Sequence, residues 1–252
     1  MHRDVSEIRQ FYQSPLGRLT ARILSEKIRS FWLDDAGKNI VLHRPDTCVI
    51  GVGYTIPYFD QWQDCHTIAV MGAMQGVVRW PSYGPSRVVL TEDHILPFAD
   101  QSVEHIVMVH AVENADYLRE LMDEVWRVLK PNGRVLMVVP NRSGLWAKSD
   151  NTPFGYGRPF SMKQIRAMLF DAQFVIEHDR RALYFMPSHN RVLLWLAPVL
   201  EKLGVALMPR LGGVTLVEAS KRLYNATPLR VAPSKSRLKP SKPEWVTEPI
   251  PT

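Results

Sequence analysis

Between Thr47 and Tyr58 the chain reads TCVIGVGYTIPY, and this stretch restricts the fold more than any other. It opens as an unbroken apolar run with the β-branched Val49 and Ile50, the pattern of a strand buried on both faces. The run passes directly into Gly51-Val52-Gly53-Tyr54-Thr55. Glycine at such a point permits positive φ and lets a ligand come close to the backbone. Thr55 and Pro57 suit the N-cap and first turn of a following helix, whose free N–H groups favour anionic or polar ligand groups. Strand, glycine turn and helix start together predict a ligand site at the carboxyl edge of a sheet. Many α/β proteins carry such turns for steric reasons alone, so the rest of the chain decides what this one means.

The rest of the chain repeats the strand-then-helix rhythm. Short apolar runs at Thr67–Met71, Arg87–Leu90, His105–His110 and Arg134–Val139 predict four more strands, with a sixth inside Phe174–Met186 and a seventh at Val214–Ser220. A helix is expected over Ile56–Gln63. Another carries the stripe Leu118, Leu121, Met122, Val125, Val128, Leu129 and ends at Pro131-Asn132-Gly133. Ser161-Met162-Lys163-Gln164 is a capping box, with Phe160 and Ile165 placed as a hydrophobic staple, and it opens a helix to about Ala172. In front of the first strand, Ser6 caps one short helix and Ser14-Pro15 starts a second. The loop Asn141–Pro159, at a strand's carboxyl end, carries Trp146, Phe154 and Tyr156 and is expected to shape a site. Asn190–Gly204 is apolar over much of a helical circumference, which predicts burial in the core, with a partner surface as the alternative. These elements define a doubly wound α/β domain over residues 41–226, with a helical insertion near 190–204. N-terminal helices in 1–40 pack on it as a lid. The segment 227–252 reads as a disordered, Pro-rich basic tail.

Charge and cysteine content narrow the partners. Of the formal net charge of +6, the segment from Pro228 to Thr252 supplies five Lys/Arg against two Glu. The body therefore keeps only half of the excess, which argues against a nucleic-acid groove. Two cysteines, Cys48 and Cys65, do not make a disulfide framework, and a reducing, cytoplasmic setting fits. Cys65-His66 lacks a second pair at ligand spacing, so no metal site is expected. The longest apolar run, Val192–Leu200, is too short to span a bilayer, and no membrane partner is expected.

Two motifs go beyond fold class. The run Leu96-Pro97-Phe98-Ala99-Asp100-Gln101-Ser102-Val103-Glu104 is followed by a strand ending His110-Ala111-Val112-Glu113, and then by Glu124-Val125-Trp126-Arg127-Val128-Leu129-Lys130-Pro131-Asn132-Gly133-Arg134. In order and spacing these resemble the class I S-adenosylmethionine-dependent methyltransferases, type 11 small-molecule branch, over roughly residues 40 to 180. The resemblance implies a seven-stranded sheet, mostly parallel with an antiparallel last strand, and S-adenosylmethionine as cofactor. It matches Gly51 and Gly53 to the glycine turn under the cofactor's methionine and ribose. Glu92 or Asp93 matches the acid that accepts from the adenine amino group, with Ile95 flanking the ring. His110 matches the position facing the transferable methyl, and Tyr54 is placed to lay its ring near the sulfonium.

The chain also departs from the pattern. Val49 stands where the family has an acid before the first glycine, Thr55 replaces the third glycine, and the second strand ends Val70-Met71-Gly72 without a carboxylate. Each lost charge-assisted hydrogen bond is worth roughly 1.5 to 3 kcal/mol, so two weaken cofactor binding by roughly two to four powers of ten unless other groups replace them. Two readings follow: methyl transfer to a small or medium-sized acceptor, with His110 or Tyr156 as base, or an inactive methyltransferase fold serving as a protein-binding partner through the 190–204 helix or the basic tail. A nicotinamide dehydrogenase lacks its third glycine and ribose-binding acid.

Overall fold

Seven stretches join one sheet in a computed structural model that describes residues 4–32, 47–59, 66–92 and 94–222. They are β1 (Cys48–Gly53), β2 (His66–Gly72), β3 (Val88–Thr91), β4 (Val103–Val109), β5 (Leu129–Pro140), β6 (Phe174–Ala182) and β7 (Val214–Lys221). The order is β3-β2-β1-β4-β5-β7-β6; β1 to β5 pair in parallel and β7 runs antiparallel to both its neighbours. The direction of strand progression reverses between β1 and β4. Their carboxyl ends therefore part at a topological switch point, where open α/β sheets bind ligands.

Strand side chains alternate between two helical layers. Val49, Val107, Val109, Leu136, Val138 and Leu216 face α1 (Val5–Gln13) and α2 (Pro15–Arg29), while Ile50, Ile106, Met108, Val135, Met137 and Val217 face α4 (Leu118–Val128) and α5 (Met162–Asp171). A short α3 (Ile56–Phe59) follows β1. The N-terminal helices form a packed layer on the sheet: Leu16, Leu24, Ile28 and Trp32 are fully buried against it.

Local signals behave largely as read. Ser14 caps α2, its hydroxyl accepting from Gly17 N at 3.0 Å, and the Ser161–Gln164 capping box is formed in both directions. The cap of α1 is Asp4, whose carboxylate accepts from Ser6 N at 2.7 Å, so Ser6 supplies the amide and not the cap. α4 stops at Val128, because Leu129 already pairs with Val103 at the start of β5. Lys221 Nζ donates to the carbonyls of Trp126 and Leu129, satisfying acceptors left free at the end of α4. On β7, Glu218 is fully buried and its carboxylate accepts from Trp32 Nε1 (3.1 Å) and Arg134 Nη1 (2.9 Å), with His178 Nδ1 at 3.0 Å.

One expectation is overturned. The helix read at 190–204 forms as α6 (Arg191–Leu207), yet only Ala197 and Glu201 on it are buried. Val192, Trp195, Val199 and Leu203 are exposed, because α6 leans on the rim of the sheet through a single narrow face. Cys65, the end of the helix expected to Gln63, Asp93 and the tail lie outside the described residues.

Candidate functional site

The two motifs distant in sequence meet through one guanidinium. Arg127 donates to Glu124 Oε1 (2.6 Å) and Oε2 (2.8 Å), to Asp100 Oδ1 (2.5 Å), and to the carbonyls of Phe98 (2.9 Å) and Leu96 (3.0 Å). Glu124 Oε2 in turn accepts from Leu96 N at 3.0 Å. Arginine's planar fork suits this pairing of carboxylates and carbonyls, and Arg127 holds the Glu124 carboxyl below the usual range. The clamp pins the Leu96–Asp100 loop beside the carboxyl end of β3.

Leu96 of that loop forms part of one wall of a narrow cleft at the switch point. Gly53 forms its floor with φ of +83°, a conformation side-chain-bearing residues rarely adopt, and a Cβ there would lie 2.3 Å from Val109 O. Tyr54 N donates to Val109 O at 2.9 Å, tying the ends of β1 and β4 together. Gln75, Thr91, Glu92, Leu96 and Asn114 line the remainder. Gln75 Nε2 and Asn114 Nδ2 both donate to the carbonyl of His110 (3.2 and 3.0 Å), holding that residue in a left-handed backbone with φ of +55°.

Next to the cleft lies a buried polar chain. Tyr58 OH is 2.6 Å from Tyr12 OH, Tyr12 OH is 2.8 Å from His110 Nε2, and His110 Nδ1 is 3.1 Å from Glu113 Oε1. His110 is 0 % exposed, with the Phe154 ring 4.6 Å away and Tyr12 stacked on Tyr54 at 5.6 Å. Burial raises the Tyr12 and Tyr58 hydroxyls well above the usual tyrosine range, so both stay protonated at neutral pH. Glu113 Oε2 is buried without a hydrogen-bond partner. One consistent proton order runs Tyr58 to Tyr12 to His110 Nε2, with Nδ1–H donating to the Glu113 carboxylate.

The residues expected from the sequence are divided by this geometry. Gly53, Glu92 and His110 line the cleft. Gly51 does not: a Cβ on it would meet Thr55 Oγ1 at 2.0 Å and the Phe59 ring at 2.6 Å, so it lets α3 close onto β1. Tyr54 is buried against Tyr12, and Ile95 stands half-exposed beside the wall. Asp93 is outside the described residues. Glu92 is 67 % exposed with His94 Nε2 3.6 Å away. The sequence reading missed Gln75, Asn114, Tyr12 and Tyr58. Gln75 stands just past the end of β2, near the place of the absent carboxylate, in a segment whose glycines marked it only as irregular.

The sheet order, the switch-point cleft and the glycine floor together define a Rossmann-like methyltransferase fold. Residues 50–137 match a family model described as a methyltransferase domain, so the chain contains a class I S-adenosylmethionine-dependent methyltransferase domain. Solved structures agree on the fold. A methyltransferase of this kind from Thermotoga maritima superposes with a TM-score of 0.56 at 14% identity, covering 86% of this chain and 96% of that one. One from Archaeoglobus fulgidus gives 0.53 at 14% identity over 80% and 94%, and one from Mesorhizobium loti 0.51 at 13% over 70% and 91%. A comparison with curated proteins finds no match.

Proposed function

We propose that the protein transfers a methyl group from S-adenosylmethionine to a small or medium-sized acceptor, with the cofactor lying across the carboxyl ends of β1 to β4. The observation that carries this reading is the glycine turn at the switch point: Gly53 lines the cleft in a left-handed backbone, packed so closely on Val109 O that no side chain fits there. The residues present suit the cofactor. Glu92 accepts from the adenine amino group, Leu96 and Ala115 give apolar walls for the ring, and the amide of Gln75 takes the place of the missing β2 carboxylate for the ribose hydroxyls.

When bound, the cofactor supplies a methyl already activated on a sulfonium. What remains for the chain is positioning and exclusion of water, and Tyr12, Tyr54 and Phe154 close that side with aromatic surface. His110 is the candidate proton acceptor: Glu113 holds its Nδ1, and its Nε2 is bonded to the Tyr12 hydroxyl, the group through which a proton would pass. Tyr156, the other sequence candidate, is not among the residues lining the cleft. A cytoplasmic setting is proposed from the cysteine usage.

One observation favours the second reading, a catalytically silent partner protein: His110 is sealed from solvent by side chains of its own chain. Incubation with methyl-labelled cofactor and a panel of amine, hydroxyl and thiol acceptors separates the two. Label on an acceptor, reduced in His110→Ala, supports transfer; cofactor binding without transfer to any acceptor supports the silent partner.

A further inference from the structure

We propose that α6 and the loop after it form a membrane-surface contact that docks the protein on anionic lipid, independently of what the cleft does. The described residues hold no helix long and apolar enough to cross a membrane, and this surface asks for none. Val192, Trp195, Val199 and Leu203 recur at helical spacing on one side of α6, and all are exposed, Trp195 to 78 %. The apolar surface continues through Leu207, Met208 and Leu211. Seventeen residues make a helix about 25 Å long, so the apolar strip is far larger than the isolated exposed side chains normal on a soluble surface.

Charge selects the occupant. From Met186 to Gly213 the charged residues are Arg191, Glu201, Lys202 and Arg210. The three cations are exposed and border the strip, since Arg191 and Lys202 each precede one of its members. The single acid points inward, Glu201 accepting from Leu183 N (3.1 Å) and Tyr184 N (2.7 Å). An apolar crest with an interfacial tryptophan and a rim of one sign complements the negative face of a bilayer. The helix then lies in the plane of the interface, with its aliphatic side chains and Trp195 at headgroup depth.

The test is co-sedimentation of the full chain with vesicles of phosphatidylcholine alone and of phosphatidylcholine mixed with phosphatidylserine. Three basic side chains, each contributing about a factor of five, predict roughly a hundredfold preference for the anionic vesicles, reduced by salt. Trp195→Glu, a change on an exposed position that leaves the fold intact by circular dichroism, is expected to lower binding at least about tenfold. Two results overturn the proposal: no sedimentation with anionic vesicles, or sedimentation that Trp195→Glu leaves unchanged, which assigns the binding to basic residues elsewhere. A dimer that Trp195→Glu dissociates, without vesicle binding, would assign the strip to a second copy of the chain and equally overturn it.

Discussion

Replacing Tyr12 by Phe removes one hydroxyl that serves two buried partners. Tyr12 OH contacts Tyr58 OH and His110 Nε2, and the two partners are 1 % and 0 % exposed, so water does not replace it. Each orphaned buried group costs about 1 to 3 kcal/mol, which places Tyr12→Phe at about 3 kcal/mol. Tyr58→Phe removes only the terminal hydroxyl and leaves Tyr12 bonded to His110, at about 1 kcal/mol. The double variant leaves a single orphan, His110 Nε2, so it is no more destabilised than Tyr12→Phe alone, a coupling of about 1 kcal/mol or more. Urea unfolding of the four proteins measures all three quantities. Equal losses for the two single variants, or additive losses in the double, would refute a linear chain with Tyr12 in its middle.

Gly53→Ala places a Cβ on a backbone of φ +83° and 2.3 Å from Val109 O, and is expected to cost at least about 2 kcal/mol by thermal unfolding. Arg127→Ala frees the Leu96–Asp100 loop from its clamp; a loss of about 2 kcal/mol is expected, with weaker cofactor binding by calorimetry. Glu218→Ala strips the acceptor from Trp32 Nε1 and Arg134 in the core and is expected to cost about 3 kcal/mol in denaturant titration, more than Arg134→Ala, whose own head is partly in water. Tyr12 and Tyr58 are raised above their ordinary values on folding, so the native state favours their protonated forms. Stability is then full below the unfolded tyrosine range near pH ~10 and falls as pH climbs beyond it, and Tyr58→Phe shifts the alkaline unfolding midpoint upward.

Local rules made much of this molecule readable. The apolar runs gave strands because parallel strands are buried on both faces, and the Ser161 capping box named its helix start from three residues. The 96–104 and 124–134 motifs were legible as a pair; the structure supplies the reason, one arginine bonding both. What stayed hidden depends on distance in the chain. Tyr12 finds Tyr58 46 positions away and His110 98 away, and nothing in an N-terminal amphipathic helix announces that. Gly51 and Gly53 looked equivalent in sequence, yet one admits the Phe59 ring and the other the left-handed turn. Periodicity identified α6 as a helix but carried no information on what covers its apolar face.

The most direct measurement is calorimetric titration of the purified protein with S-adenosylmethionine, alongside Glu92→Gln, a change on an exposed side chain that spares the fold. Binding in the micromolar range is expected, weakened by roughly ten- to hundredfold in Glu92→Gln as one charge-assisted hydrogen bond is lost. Absence of binding at millimolar cofactor, or binding indifferent to Glu92, would contradict a cofactor laid across the carboxyl ends of β1 to β4.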